Sequence, residues 1–140
     1  MTTVELEIPP RSAYVKVVRL AIASLARSKG LDEETIDDLK IAVGEAVANA
    51  VIANEEIGSV APVSIAWSEE PDGLVIEVKD RGAGLGDEDP YDSGGFQSRL
   101  TMSVALLQSL VGRCELLERD GGGTCTRLLV PRGRRASPHR

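Results

Sequence analysis

The stretch GEAVANAVIAN, residues 44–54, places two polar side chains in a segment otherwise made of small apolar residues. Glu45 and Asn49 are four positions apart, so they lie one turn apart on the same side of a helix. That side also carries three apolar residues, Ile41, Ala48 and Ile52. A carboxylate in such surroundings costs free energy unless it is paired. The pair either meets solvent at a rim, forms a mutual hydrogen bond, or serves a function.

The opposite side of this helix carries an apolar stripe that can anchor it to the rest of the protein. We expect Asp32 to cap the helix, with Glu33 and Glu34 in the electropositive first turn. The helix should then continue to about Asn54. Its stripe consists of Ile36, Leu39, Val43, Ala46, Val47 and Ala50.

A strand and a helix are predicted before this segment. TVELEIPP alternates apolar and polar residues and ends at prolines, which indicates a strand. RSAYVKVVRLAIASLARSKG has a helical apolar period and ends at Gly30, a helix-terminating residue. The predicted apolar stripe of that helix is Tyr14, Val17, Val18, Ala21 and Leu25.

The second half of the chain contains four predicted strands and one helix. VSIAWSEE and GLVIEVKD form a hairpin through the turn PDG, LTMSVALLQSLVG is a third helix, and RCELLERD and TCTRLLVP flank the turn GGG. This order predicts an α+β, two-layer sandwich, with a mostly antiparallel sheet of about five strands and three helices on one face. We expect one domain, residues 1–131, and no repeat.

Composition and charge narrow the classes of function. The chain has no apolar run long enough to span a membrane and no signal-peptide pattern, so we expect a cytoplasmic protein without a membrane partner. Four of the 16 basic residues lie in the last ten, PRGRRASPHR, which leaves 12 basic against 22 acidic groups and a net charge of −10. Such a surface argues against direct nucleic-acid binding and favours a basic protein partner or simple solubility. We expect residues 132–140 to be a disordered basic tail.

The two cysteines are predicted to be free thiols, because cytosolic disulfides are uncommon. Cys114 and Cys125 lie on the last two predicted strands, and they could face each other across that hairpin.

Two further motifs accompany the polar pair. Asp80, Gly82 and Gly84 form an Asp-x-Gly-x-Gly pattern at the end of a strand, and Gly123 precedes Thr124 at the start of the final strand. Each is weak alone. Together and in this order with DDLKIAVGEAVANAVIAN, they resemble the Bergerat-fold (GHKL) ATPase superfamily over about residues 4–131. The similarity is strongest to its bacterial anti-sigma factor serine kinases, whose N-box that stretch resembles nearly residue for residue.

The resemblance implies a role for each motif residue. Glu45 would be the general base and Asn49 the ligand of Mg²⁺. Asp80 would accept the adenine amino group of ATP, Gly82 and Gly84 would let the backbone approach the base, and Thr124 would support the adenine side. Residues 85–97 would form the ATP lid, or else an acidic connector.

The sequence departs from the family pattern at the third helix and after the N-box. Thr101, Met102 and Ser103 stand where the family has Gly-x-Gly, and Ala53 and Asn54 stand where it commonly has His-Gly. Thr101 and Ser103 at a helix N-terminus could still bind phosphate through hydroxyls and free amides.

The resemblance implies an anti-sigma factor that sequesters a sigma factor. It would also use ATP to phosphorylate a serine of an anti-anti-sigma (STAS-type) partner, and it would act as a homodimer. The departure at residues 101–103 motivates an alternative, a partner-switching binding module of the same fold with weak or no ATP binding and no kinase activity.

Overall fold

The computed structural model describes residues 2–82 and 96–131, the side chains of residues 96–101 excepted. The elements in chain order are β1 (Thr3–Ile8), α1 (Val15–Ser28), α2 (Glu33–Glu56), β2 (Val63–Glu70), β3 (Gly73–Lys79), α3 (Phe96–Val111), β4 (Arg113–Glu118) and β5 (Thr124–Pro131). A short 3₁₀ turn, Ser12–Tyr14, leads into α1. Within the described residues, the predicted α+β class, the three helices and the five strands are confirmed.

All strand pairs are antiparallel, in the order β1-β2-β3-β5-β4. Trp67, Ile76, Leu128 and Cys114 lie side by side across four strands and face the helices as part of the core. The opposite face carries Glu5, Glu77, Arg127 and Glu115 in one row across the sheet. One face is therefore apolar and covered by helices, as the alternation of the strands predicts.

The long helix α2 is the centre of the helical layer. Its predicted stripe is buried throughout. Asp32 caps it as predicted, since the Asp32 carboxylate accepts a hydrogen bond of 2.9 Å from the amide of Thr35. None of the described helices is both long and apolar enough to cross a membrane.

The predicted stripe of α1 is confirmed in part, since Leu25 packs against the core and Ala21 is half-buried, but its first residues are exposed. Val18 is buried, but the side chains of Tyr14 and Val17 are 39% and 45% exposed. The buried face consists instead of Val18, Ile22, Ala23 and Ala26. Apolar residues occur on both sides of this helix, and the small alanines permit close packing against α2, so hydrophobicity alone does not decide which side is buried.

The prediction that the cysteines face each other is also wrong. Cys114 pairs with Leu128, and Cys125 pairs with Leu117, which puts the two cysteines three positions apart along the hairpin and on opposite faces of the sheet. Both thiols are free, as predicted, and both are buried. Burial raises the pKa of the Cys114 thiol to about 11, so it is protonated at neutral pH.

Candidate functional site

Glu45 and Asn49 lie on the half-buried side of α2, at positions neither fully covered nor fully exposed. Within the described residues, the Asn49 carboxamide hydrogen-bonds to α3 and not to Glu45: its Nδ2 donates to Ser103 Oγ at 2.6 Å. The alternative of a mutual Glu45–Asn49 bond therefore does not hold. The polar pair projects at the edge of α2 against which α3 packs.

Ser103 is buried in this contact, with 4% of its surface exposed. We had expected Thr101 and Ser103 at the N-terminus of the third helix. That expectation is wrong, because α3 begins at Phe96 and both residues lie inside it. Only the first four amides of a helix lack an internal partner, so the amides of residues 101 and 103 are used by the helix itself. The Thr101 side chain lies outside the described part of the chain, and neighbouring Met102 is 75% exposed.

Asp80 follows β3 directly and is buried, with 4% of its surface exposed. Its Oδ1 accepts hydrogen bonds from the amide of Gly82 at 2.9 Å and from the amide of Thr124 at 3.2 Å. Burial raises the pKa of the Asp80 carboxyl above its ordinary value, while those two amides and the positive charges of Arg119 and Arg81 oppose the rise. Among the described residues, donors reach only Oδ1 of this carboxylate, so Oδ2 can accept a hydrogen bond from a ligand.

Gly82 is required by packing against α2. A Cβ at this position would lie 2.2 Å from the carbonyl carbon of Ala53 and 2.6 Å from its Cβ, distances that no side chain tolerates. We had attributed this glycine to the approach of an adenine base, but its closest described neighbour is the helix backbone. Gly84 and the lid positions 85–95 lie outside the described residues, whereas residues 96 and 97, also assigned to the lid, belong to α3.

Gly123 packs against the backbone of Asp80. Its φ is +102°, and a Cβ there would lie 2.1 Å from the carbonyl oxygen of Asp80. Only glycine combines that backbone angle with that approach. Thr124 is buried beside it, and its backbone exchanges hydrogen bonds with Asp80, from the Asp80 amide to the Thr124 carbonyl at 3.0 Å and from the Thr124 amide to the carboxylate.

Two arginines that the sequence analysis did not identify connect the end of β3 to the β4–β5 turn. Arg81 Nη1 donates to the carbonyls of Asp120 and Gly122, both at 2.7 Å. Arg119 Nη1 donates in the other direction, to the carbonyl of Asp80 at 2.7 Å. The end of β3 and the β4–β5 turn are thus joined reciprocally. Arginines are common near turns, and nothing in their spacing reveals this pairing.

Asn54 is a third residue that the sequence analysis did not assign to the site. It is fully buried. Its Nδ2 donates to the carbonyl of Ala61 at 2.8 Å, and its Oδ1 accepts from the amide of Arg81 at 3.0 Å. A signal was present, because Asn54 continues the spacing of the buried stripe after Val47 and Ala50, and a polar group in such a stripe needs partners.

These residues form one site along α2. Ala53 contacts the Asp80–Gly82 end, while Asn49 lies one turn earlier and Glu45 two turns earlier, a rise of about 6 Å and about 12 Å along the helix axis. The donor set suits a magnesium nucleotide. A buried carboxylate with a remaining acceptor oxygen lies at one end. At the other end, a carboxamide oxygen offers the hard ligand that Mg²⁺ prefers, beside a carboxylate.

Comparison with known proteins places this arrangement in a family. The profile described as the histidine kinase-like ATPase domain matches residues 8–130. Proteins named serine-protein kinase RsbW from Bacillus cereus and Listeria monocytogenes are 36% and 33% identical over 129 and 130 residues. Both alignments cover 84% of this chain, and they cover 79% and 81% of the respective relatives.

Two other matches cover less of the protein they match. The RsbW kinase of Oceanobacillus iheyensis is 34% identical over 79 residues, which is 56% of this chain and 50% of that protein. A crystal structure of the RsbU and RsbW domains of a Mycobacterium tuberculosis protein has a TM-score of 0.68 at 21% identity and covers 94% of this chain. This chain spans only 32% of that longer one, and the likeness concerns the fold.

Replacing Gly82 with alanine should destabilise the protein by about 1–3 kcal/mol, since the new methyl group collides with the backbone of Ala53. Gly44→Ala is the matched control in α2. Its Cβ would meet only the flexible Arg19 side chain, at 3.0 Å, and alanine favours a helix by about 0.5–1 kcal/mol. Urea denaturation of both variants measures the difference. Equal stability of the two would contradict the packing argument.

Asp80→Asn should gain stability relative to the wild type as pH rises. The folded protein favours the neutral carboxyl because the Asp80 pKa is raised, so the wild type loses that contribution as pH rises through the raised pKa. Asparagine keeps the Oδ1 acceptor and has no charge to bury. Denaturation free energies of both proteins at pH 4 and pH 7 test this. A variant that loses stability relative to the wild type over this range would show that the fold favours the charged carboxylate.

Proposed function

This chain belongs to the histidine kinase-like ATPase family, and we propose that it is an anti-sigma factor with serine kinase activity. It sequesters a sigma factor, and it uses ATP with Mg²⁺ to phosphorylate a serine of an anti-anti-sigma (STAS-type) protein. The observation that carries the proposal is that Glu45 and Asn49 lie on α2 and that the residues directly after the buried Asp80 contact the C-terminal part of the same helix.

In this proposal the adenine end of the nucleotide lies at Asp80. The fixed Oδ1 orients the carboxylate, and Oδ2 accepts a hydrogen bond from the adenine amino group. Thr124, buried next to Asp80, supports the same end. Ionised Asp80 is the better acceptor, so a bound amino donor would lower the pKa that burial raises.

The phosphate end lies at the polar pair on α2. When bound, ATP supplies the γ-phosphoryl group, and Mg²⁺ neutralises charge on its phosphates. Asn49 Oδ1 serves as a metal ligand. The Glu45 carboxylate would accept the proton of the partner's serine hydroxyl as that oxygen bonds to the γ-phosphorus and the bond from this phosphorus to ADP breaks, with ADP as the leaving group. The half-buried position of Glu45, one turn from Asn49, supports this role. Both groups stand on a rigid helix, which limits the motion of base relative to metal.

A second candidate function is a binding module that switches partners without catalysis. The position of Thr101 and Ser103 inside α3 favours it, because their amides are not free for phosphate and Ser103 fills space where the family has glycine. The surface charge fits either function. An excess of acidic groups attracts a basic partner surface and speeds its association.

We also propose a homodimer that pairs β1 and α1 across a two-fold axis. In support, β1 is an edge strand, and Val17 and Leu20 of α1 are exposed. Light scattering at micromolar concentration should give twice the chain mass of 14.9 kDa. A mass equal to that of one chain would contradict the proposal.

Substitutions at the two ends of the site should separate nucleotide binding from phosphoryl transfer. Asp80→Asn should weaken Mg·ATP and Mg·ADP binding by about 1.5–3 kcal/mol, because one charge-assisted hydrogen bond is lost. Glu45→Ala should leave that affinity nearly unchanged and lower the rate of phosphoryl transfer by about 10²- to 10⁴-fold, since a general base acts in the transition state. Calorimetry and a phosphorylation assay with the antagonist measure both effects.

Glu55→Ala, an exposed glutamate on the same helix, is the control and should behave as the wild type. Sigma-factor capture should survive both site substitutions. If the wild-type protein binds neither nucleotide at millimolar concentration yet captures a sigma factor, the kinase proposal fails and the binding-module function takes its place. A wild-type rate of phosphoryl transfer in Glu45→Ala would show that Glu45 is not the general base.

A further inference from the structure

Between α2 and α3, a hydrogen bond joins the half-buried Asn49 to the buried Ser103, and its chemistry bears on the proposed metal ligand. Asn49 Nδ2 and Ser103 Oγ are 2.6 Å apart, although the residues are 54 positions apart in the sequence. Ser103 shares the buried side of α3 with Leu107 and Val111, both 1% exposed. A hydroxyl on such an apolar stripe is costly without a partner, and the Asn49 amide is that partner.

The direction of this hydrogen bond decides which atom of Asn49 remains available. A carboxamide has an oxygen that accepts and a nitrogen that donates. A hard divalent cation binds only the oxygen. With Nδ2 committed to Ser103, Oδ1 is the atom of the carboxamide left for a cation, and no described residue donates a hydrogen bond to it. In the opposite orientation the amide would present N–H groups to the cation and repel it.

We propose that Ser103 is a positioning residue that orients the Asn49 carboxamide for Mg²⁺, an inference that rests on the nucleotide site proposed above. Ser103 touches neither metal nor phosphate in this role. It holds the donor end of the amide, so that the ligand oxygen is presented before the metal arrives. Groups that orient a metal ligand in this way commonly change metal affinity by about 10- to 100-fold when they are removed.

This role differs from that of a phosphate-binding hydroxyl. A phosphate contact would contribute to nucleotide affinity with or without the cation. An orienting contact contributes only when the metal is present. The two can therefore be separated by measuring nucleotide binding in EDTA and the divalent-ion dependence independently.

The test compares Ser103→Ala with Ser109→Ala, an exposed serine on the same helix whose Oγ donates to the carbonyl of Leu106. ADP affinity is measured by calorimetry in EDTA, and Mn²⁺ affinity at saturating ADP is measured by electron paramagnetic resonance. Ser103→Ala should bind Mn²⁺ about 10- to 100-fold more weakly, with unchanged ADP affinity in EDTA. Ser109→Ala should match the wild type in both measurements, and Ser103→Thr, which keeps the hydroxyl, should recover most of the Mn²⁺ affinity.

A second background distinguishes orientation from packing. Asn49→Asp presents oxygen at both ends of the side chain and needs no orientation, so adding Ser103→Ala to it should cost much less Mn²⁺ affinity than in the wild type. An equal cost in both backgrounds would assign Ser103 a packing role only. Unchanged Mn²⁺ affinity in Ser103→Ala, or loss of ADP affinity in EDTA, would overturn the proposal while leaving the nucleotide site intact. Wild-type protein that binds no ADP under either condition would contradict both the role of Ser103 and the proposed nucleotide site.

Discussion

The buried carboxylate of Asp80 imposes the strictest constraint on this protein. It lies where β3, β5 and the C-terminal part of α2 meet, and a charge there must be compensated by hydrogen bonds. The amides of Gly82 and Thr124 supply them, and both must come within reach of one oxygen. That requirement draws the backbone of residue 82 against Ala53 and the backbone of residue 123 against Asp80, which only glycines permit at these two positions. The carboxylate, the two glycines and the β4–β5 turn therefore form a single unit.

Helix α2 connects this unit to the polar pair. Its C-terminal end holds the Asp80 loop through Asn54, which bonds to the amide of Arg81 and to the loop before β2. One turn earlier, Asn49 joins α3 through Ser103. The separation of Asp80 from Glu45 is therefore set by α2 together with the contacts that Ala53 and Asn54 make with the residues after Asp80.

Burial of the Asp80 carboxylate costs stability and leaves one of its oxygens able to accept a hydrogen bond from a ligand. Burying Asp80 raises its pKa, which marks an unfavourable charged state in the isolated protein. Asparagine would meet the same Oδ1 bonds without that cost, yet it would offer a ligand amine a mixture of donor and acceptor. A buried carboxylate whose ionised form the fold disfavours is typical of functional sites.

Much of the fold was predictable because the periodicity is strong. Strand alternation, the Asp32 cap and the α2 stripe each depend on local sequence, and the structure confirms all three. Where two sides of a helix are both apolar, as in α1, periodicity predicted the element but not its buried side. The start of α3 was placed four residues late, because the residues before Leu100 lack an apolar pattern.

What the sequence determined by itself was the set of chemical groups and the spacing of those that share an element, such as Glu45 and Asn49 on one helix. Only the tertiary structure decided which groups meet across elements. It paired Asn49 with Ser103, Arg81 with the β4–β5 turn, Arg119 with Asp80, and Asn54 with the loop after β3. It also reassigned Gly82 from ligand approach to helix packing. The physical reason is that local periodicity fixes direction within an element, while hydrogen bonds and close contacts between distant segments depend on how the layers pack.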